Sequence, residues 1–445
     1  MTSEPRNEGP GAPPSLSTAT KAWAAISLQT FGGPAGQIAV MQRSLVDEHR
    51  WISQQRFLFA LSYCTLLPGP EAQQLATYIG WLLHGLRGAL IAGTLFVIPG
   101  VVTMLALSAV YVTAGDTTFV ESLFLGLAPA VIAIVVHALI RIGRRSLTHP
   151  GWVAIAVAAF VAITAFGVPF PLVVLAAALA GWSLGRRHPE IAEANAIDDS
   201  APAPQASSRR TALLLTLGIP LWLAPVGIAA VVFGRDSIVV DEGLFFSGSA
   251  LITFGGAYAV LAFVAQQAVA HYGWLTTTDM VRGLALAETT PGPLIMVVQF
   301  VAFVGAFRHA GDANPWAIAI AASLVTSWVT FAPSFLFIAV GAPYVERLQH
   351  LTGLRSALTG VTAAVVGVIA SLALYFALHT LFADLTRHTW GLTRIDVPVL
   401  SSVHGWVAAI AVIGFVLVLR GWGVLRILGV CAVLGLTVGL VAGAV

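Results

Sequence analysis

Apolar runs of about 20 residues recur along this chain from end to end, the length an α-helix needs to cross a hydrocarbon core. Only 9% of the 445 residues are charged and 58% are hydrophobic, so no stretch carries the polar surface of a sizeable soluble domain. The runs predict an all-α, polytopic membrane protein. Candidate spans lie near Ala22 to Gln42, Phe57 to His84, Ala89 to Val112, Phe119 to Ile140, Trp152 to Phe166 and Phe170 to Leu184. A seventh, Leu213 to Phe233, follows a charged, Pro/Ala/Ser-rich stretch from Gly185 to Arg210 that reads as a linker. Six more lie near Leu244 to Val269, Met280 to Phe307, Trp316 to Gly341, Ala357 to Leu381, Gly405 to Leu419 and Gly423 to Ala444, for thirteen in all.

The Lys and Arg residues sit in short segments between these runs and form no single basic face, which sets nucleic-acid binding aside. Arg141, Arg144 and Arg145, and Arg186, Arg187, Arg209 and Arg210 in the linker, are the strongest basic clusters. Placing both in the cytoplasm puts the N-terminus inside and the C-terminus outside. Arg43, Arg50 and Arg56 then fall outside, so either the rule is weak there or the span from Phe57 is re-entrant. Residues 1–20, rich in Pro, Gly, Ser and Thr, read as a disordered cytoplasmic tail rather than a cleaved signal. Tryptophans near span ends read as interface anchors, and Cys64 and Cys431, each alone in an apolar run, as buried hydrophobes.

The chain is duplicated. Thr30-Phe31-Gly32-Gly33 recurs at Thr253, Trp51 at Trp274, and Pro68-Gly69-Pro70 at Pro291-Gly292-Pro293, all with a constant offset of 223 residues. Repeats of this kind mark transporter folds. The units are read as residues 21–184 and 243–445, joined by the cytoplasmic linker 185–210 and a connecting helix over 211–233. Six spans per unit with one between them predict inverted repeats about an axis in the membrane plane.

Each unit interrupts its first two spans. Gly32, Gly33, Pro34 and Gly36, matched by Gly255 and Gly256, lie near mid-span, as do the two Pro-Gly-Pro triplets. Proline removes a backbone donor and glycine permits the bend, so these helices are expected to divide at the bilayer midplane. Half-helices that begin at Pro70 and Pro293 present free N–H groups and a positive dipole end, an anion site. Glu71 follows the first triplet and Glu288 precedes the second; both are candidates for proton coupling, with helix capping the plainer role for Glu71. Gln73, Gln74, Thr77, Thr289, Thr290 and Gln299 supply amides and hydroxyls around the breaks. Arg43 is either an inward oxyanion ligand or a snorkelling interface residue. His137 and His379 read as packing or interface groups, with no metal-ligand spacing.

The stretches "FGGPAGQIAVMQ", "LLPGPEAQQLATYIGW", "GTLFVIPG", "TFGGAYAVLAFV" and "LAETTPGPLIMVVQFVAFVGA" resemble the bacterial chromate ion transporter family, long-chain type. They run from about Thr30 to Gly100 and Thr253 to Ala306, something over a quarter of the chain. The resemblance implies a multi-pass protein of the bacterial cytoplasmic membrane that exports chromate, driven by membrane potential or a proton gradient, and confers resistance. Sulfate or another oxyanion is the alternative substrate, and a passive anion channel the alternative mechanism. No flavin, haem, metal or nucleotide-binding pattern appears, so neither an enzyme nor an ATP-driven pump is expected, nor any cofactor. The expected partners are the oxyanion, the lipid bilayer and a second copy of the chain.

Overall fold

The computed structural model describes residues 14–31, 33–187, 207–254, 257–344, 352–390 and 393–442. The first unit comprises α1 (Leu16–Ser27), α2 (Gly33–Gln42, prolonged by a π-turn over Arg43–Glu48), α3 (Gln54–Leu66), α4 (Glu71–Ala114), α5 (Thr118–Ser146), α6 (Pro150–Phe166) and α7 (Phe170–Arg187). After α8 (Ser208–Val232), the second unit follows the same order. It holds α9 (Ile238–Leu251), α10 (Ala257–Ala265, with a π-turn over Gln266–His271), α11 (Thr277–Thr289), a 3-10 turn over Leu294–Met296 and α12 (Val297–Arg308). Then come α13 (Pro315–Gly341), α14 (Thr352–Leu381), α15 (Gly405–Leu419) and α16 (Val424–Ala442). Between α14 and α15 lies an antiparallel hairpin, β1 (Leu385–Trp390) with β2 (Thr393–Pro398), which the apolar pattern does not foretell.

Among the described residues six helices are long and apolar enough to cross a membrane, and four shorter apolar helices accompany them. These helices do not by themselves make up the thirteen expected spans, and several apolar runs that read as single crossings fold back on themselves. The run Met280 to Phe307 is a hairpin: α11 and α12 lie antiparallel, with Asp279 at the start of one bonded to Arg308 at the end of the other at 2.6 and 3.0 Å. Gly283 makes room for the Phe300 ring between them. In the run from Phe57, the Tyr63 and Tyr78 rings meet at 4.9 Å across the break. Had α3 continued straight into α4, those Cα atoms would stand about 20 Å apart, beyond the reach of two tyrosines. In the run from Leu244, Phe245 of α9 touches Phe263 of α10 at 5.5 Å and Trp274 beyond it at 5.5 Å, which also demands a return.

Helix α4 is itself two limbs. His84 (φ −142°) and Gly85 (φ +59°) leave helical geometry, and the chain reverses. Gly80 then packs backbone to backbone on Gly88, and Thr77 on Gly93, an approach that only glycine permits. The second limb runs to Ala114 at the far end of the bundle, where the Tyr111 hydroxyl donates to Asp279 at 2.6 Å. The α3/α4 hairpin therefore opens at one end of the bundle and the α11/α12 hairpin at the other.

The longer helices hold these hairpins. In the first unit α5 packs on α15 and α16 of the second, and in the second unit α14 packs on α6 and α7 of the first. Small residues close both seams, Gly126 on Gly435 and Gly181 on Gly360. The indole N–H of Trp222 in α8 donates to the Val329 carbonyl of α13 at 2.9 Å, and the Thr211 and Tyr344 hydroxyls lie 3.0 Å apart at one end of the same pair. Outward side chains such as Leu217, Leu221, Ile228 and Val231 of α8 stay exposed, as suits a surface bathed in lipid. Helix ends carry ordinary signals. Asn314 caps α13 ahead of Pro315, Thr276 and Asp279 form a capping box on α11, and Gly167 (φ +61°) ends α6.

The fold-back settles the placement of Arg56 at the start of α3. It lies at the end of the bundle where α4 reverses at His84, and α5, returning after Ala114, brings Arg141, Arg144 and Arg145 to that same end. Helices α7 and α8 add Arg186, Arg187, Arg209 and Arg210 there. Arg56 and the two strongest basic clusters therefore share one end of the bundle.

Candidate functional site

Four helix breaks meet inside the bundle. The Gly292 N–H donates to the Thr30 carbonyl at 2.9 Å, and the Gly69 N–H donates to the Thr253 carbonyl at 2.7 Å. Thr30 is the repeat equivalent of Thr253, and Gly69 of Gly292, so the two bonds exchange donor and acceptor between units as a local twofold requires. Both glycines need the left-handed region, with φ +128° at Gly69 and +97° at Gly292, while Pro70 and Pro293 after them hold the chain extended.

Amide side chains stitch the breaks together. Gln37 of α2 donates its Nε2 to the Gly292 carbonyl at 2.6 Å, and Gln74 of α4 donates to the Pro68 carbonyl at 2.6 Å. Gly100, on the second limb of α4, lies against Pro291 and Gly292. One residue on, the Val101 carbonyl accepts from Gln299 at 3.1 Å. The amide N–H₂ groups of Gln37, Gln74 and Gln299 are aimed at carbonyls, and that of Gln73 at the Thr77 hydroxyl at 3.4 Å, so the oxygens are assigned by elimination. Those of Gln37, Gln73, Gln74 and Gln299 are buried acceptors without a partner among the described residues.

Glu288 is wholly buried on α11, one turn before the second break. Its Oε1 accepts from the Tyr258 hydroxyl at 2.6 Å, whereas Oε2 has no partner. Gly33 faces this pair: a Cβ there would lie 3.6 Å from the Tyr258 hydroxyl and 3.9 Å from Glu288 Oε2. The tip of the first unit's α2 thus touches the buried acid of the second unit. Unpaired acceptors at this depth accommodate water or the O–H of a protonated ligand.

The sequence-derived candidates divide accordingly. Gly33, Pro34, Gly36, Pro68, Gly69, Pro70, Gln74, Pro291, Gly292, Pro293 and Glu288 lie at the breaks, and Gln299 reaches them through α4. Glu71 is the first residue of α4, and no side-chain hydrogen bond caps that helix at Pro70. The reading of Glu71 as its cap has no bond to support it. The 3-10 turn after Pro293 is likewise uncapped by any side chain. Thr289 and Thr290 turn their hydroxyls back to the Leu286 and Ala287 carbonyls of their own helix. Arg43 stands apart: its side chain is more than half exposed, 3.4 Å from Gln29 and 3.6 Å from Glu48. Gly32, Gly255 and Gly256 lie outside the described residues.

Gln37, Tyr258 and Gly100 are site residues that sequence reading passed over. Gln37 is one of three amides, with Gln29 and Gln42, in the apolar run Ala22 to Gln42, and nothing local sets it apart. Tyr258 gave no sign either, since its meaning comes from Glu288 thirty residues away.

A sequence profile described as Chromate transporter matches residues 18–182 and 241–436. The chain is 37% identical over 290 residues to the chromate transport protein of Pseudomonas aeruginosa, an alignment covering 62% of this chain and 64% of that protein, a little under two thirds of its length. It is 27% identical over 327 residues to the chromate transport protein of Cupriavidus metallidurans, covering 73% of each. An uncharacterized transporter of Methanocaldococcus jannaschii is 23% identical over 360 residues, with 79% of this chain and 82% of that one aligned. No solved structure matches the chain.

Proposed function

The chain belongs to the chromate transporter family, and from that premise we propose that it is a secondary transporter exporting chromate across the bacterial cytoplasmic membrane, driven by membrane potential or the proton gradient. Export of this kind confers chromate resistance. The observation that carries the reading is the meeting of four helix breaks from two units around the buried Glu288–Tyr258 pair. Irregular backbone at membrane depth is tolerated where it lines a substrate cavity, and uncapped half-helix N-termini at Pro70 and Pro293 offer N–H donors to a tetrahedral anion.

Glu288 is the coupling group in this mechanism. Ionised, it repels an approaching dianion; protonated, it offers an O–H beside Gly33 and removes that repulsion. Anion and proton occupancy are thereby linked. In this reading the two units are inverted with respect to the membrane, which is supported by the α3/α4 and α11/α12 hairpins opening at opposite ends of the bundle. The end rich in arginine faces the cytoplasm, which places the N-terminus inside.

Sulfate is the second substrate reading, because backbone N–H groups at the half-helix starts do not separate one tetrahedral dianion from another. The test is flux in proteoliposomes under imposed pH and voltage gradients. Chromate flux that follows the gradients is expected; absent chromate flux, or its full suppression by equal sulfate, overturns the substrate, and flux indifferent to both gradients indicates a channel.

A further inference from the structure

At the end of the bundle opposite the arginine-rich one, α5, α11, α14 and α15 line an open cavity of about 390 Å³. Arg282 of α11 lines it, with His379, His404, Thr278, Thr380 and Glu121 around it. Arg282 makes no ion pair among the described residues. Its only hydrogen bond there is a long one, 3.5 Å to the Tyr111 hydroxyl, and its guanidinium sits 5.2 Å from the centre of the Phe124 ring.

The nearest acid on the same helix cannot serve Arg282. Asp279 already accepts two bonds from Arg308, one from Tyr111 and two from Thr276. Five donors fill a carboxylate that has about four lone-pair sites. Arg308 has taken the charge partner that Arg282 lacks, and Arg282 is left as a fixed cation on a cavity wall. Glu121 shares the cavity but forms no ion pair with it within 4.0 Å. His379 Nδ1 lies 2.9 Å from the Tyr375 carbonyl and so carries the proton, leaving Nε2 as its other polar atom.

We propose that this cavity is a vestibule binding the oxyanion outside the central site, with Arg282 as its principal ligand. A planar guanidinium presents paired N–H donors that match two oxygens of a tetrahedral anion, and the Thr278 hydroxyl adds a single donor. Helix α11 leads from Arg282 to Glu288, six residues or about 9 Å along its axis, so the vestibule adjoins the central breaks. The choice of oxyanion as ligand rests on the transport reading above. A lipid phosphate shares the same chemistry, and the bilayer composition separates the two sources.

The test uses the full chain with Thr380→Cys as a reporter, Cys64 and Cys431 both being buried. An anionic and a cationic methanethiosulfonate reagent are compared for rate. With Arg282 present the anionic reagent is favoured by about ten-fold, the scale of focusing by a charged cleft, and sulfate slows its reaction. Arg282→Gln abolishes both the preference and the protection, Arg282→Lys keeps part of the preference, and Glu121→Gln raises it. In liposomes of neutral lipid the protection by sulfate persists if the ligand is soluble oxyanion. Protection that appears only once anionic lipid is removed assigns the same site to lipid headgroups. An unchanged reagent ratio in Arg282→Gln, or no protection by sulfate in either lipid, overturns the proposal. Loss of flux in the unsubstituted protein would count against transport and leave this readout intact.

Discussion

The backbone N–H of Gly292 donates to the carbonyl of Thr30 at 2.9 Å, joining the Pro-Gly-Pro break of one repeat to the Gly-Gly break of the other. Its counterpart, Gly69 to Thr253, closes the same joint from the opposite side. Each bond needs a glycine with positive φ, so the center of the protein depends on two residues that have no side chain.

Gly69→Ala is the stricter test of that joint. A Cβ there would stand 2.6 Å from Gln74 Nε2 and 2.9 Å from Ser334 Oγ, in addition to the left-handed strain. A loss of about 1–3 kcal/mol is expected, read as a fall in thermal midpoint of the purified protein. Gly234→Ala, also at positive φ but with open space around it, should lose only the strain component.

Glu288→Gln keeps the shape of the side chain and removes its titration. Flux under a pH gradient should drop to the level seen without one, while flux driven by voltage persists. Transport with unchanged rate and pH dependence would remove Glu288 from the coupling. Tyr258→Phe leaves both carboxylate oxygens unpaired and should cost about 1–3 kcal/mol of stability.

Asp279 is 3% exposed and accepts from both terminal nitrogens of Arg308. Asp279→Asn should destabilise by about 2–3 kcal/mol, below the full value for a buried pair because the Arg308 side chain is 44% exposed. A double-mutant cycle with Arg308→Gln measures the coupling directly. Additive losses would show that the pair holds α11 and α12 together no better than their packing does.

On the outer hairpin, Arg387 beside Asp396 holds that carboxyl below its ordinary range. The sign follows from the lowered folded value: the pair stabilises above the unfolded pKa and is lost as pH falls through the folded one. Arg387 is 68% exposed, so Asp396→Asn should change stability by no more than about 0.5 kcal/mol, with the difference vanishing in acid. A larger effect would mean that the hairpin braces α14 and α15.

Sidedness separates the hairpin reading from simple crossings. Single cysteines at Arg56 and Ser146 should be labelled from the same side of the membrane, and cysteines at Asp116 and Asp312 from the other. Thirteen plain crossings would put Arg56 and Ser146 on opposite sides, so that labelling pattern would refute the fold-back of α3 on α4.

Much of this was legible in the residues themselves. Composition alone requires a membrane protein, the constant offset from Thr30 to Thr253 declares the duplication, and Pro68-Gly69-Pro70 marks a break because proline cannot complete a helix there. Those are local or periodic properties, and a sequence carries them without reference to any distant contact. Whether a broken run crosses or returns is a different matter. Gly283 facing Phe300, and Asp279 meeting Arg308, decide that α11 and α12 turn back, and no periodicity records which residues meet across a break. The same holds for Tyr258 with Glu288 and for Arg282, whose isolation follows from Arg308 having filled Asp279. Hydrophobicity sets what must leave water; only tertiary packing sets the direction the chain takes at each break and which charge is left without a partner.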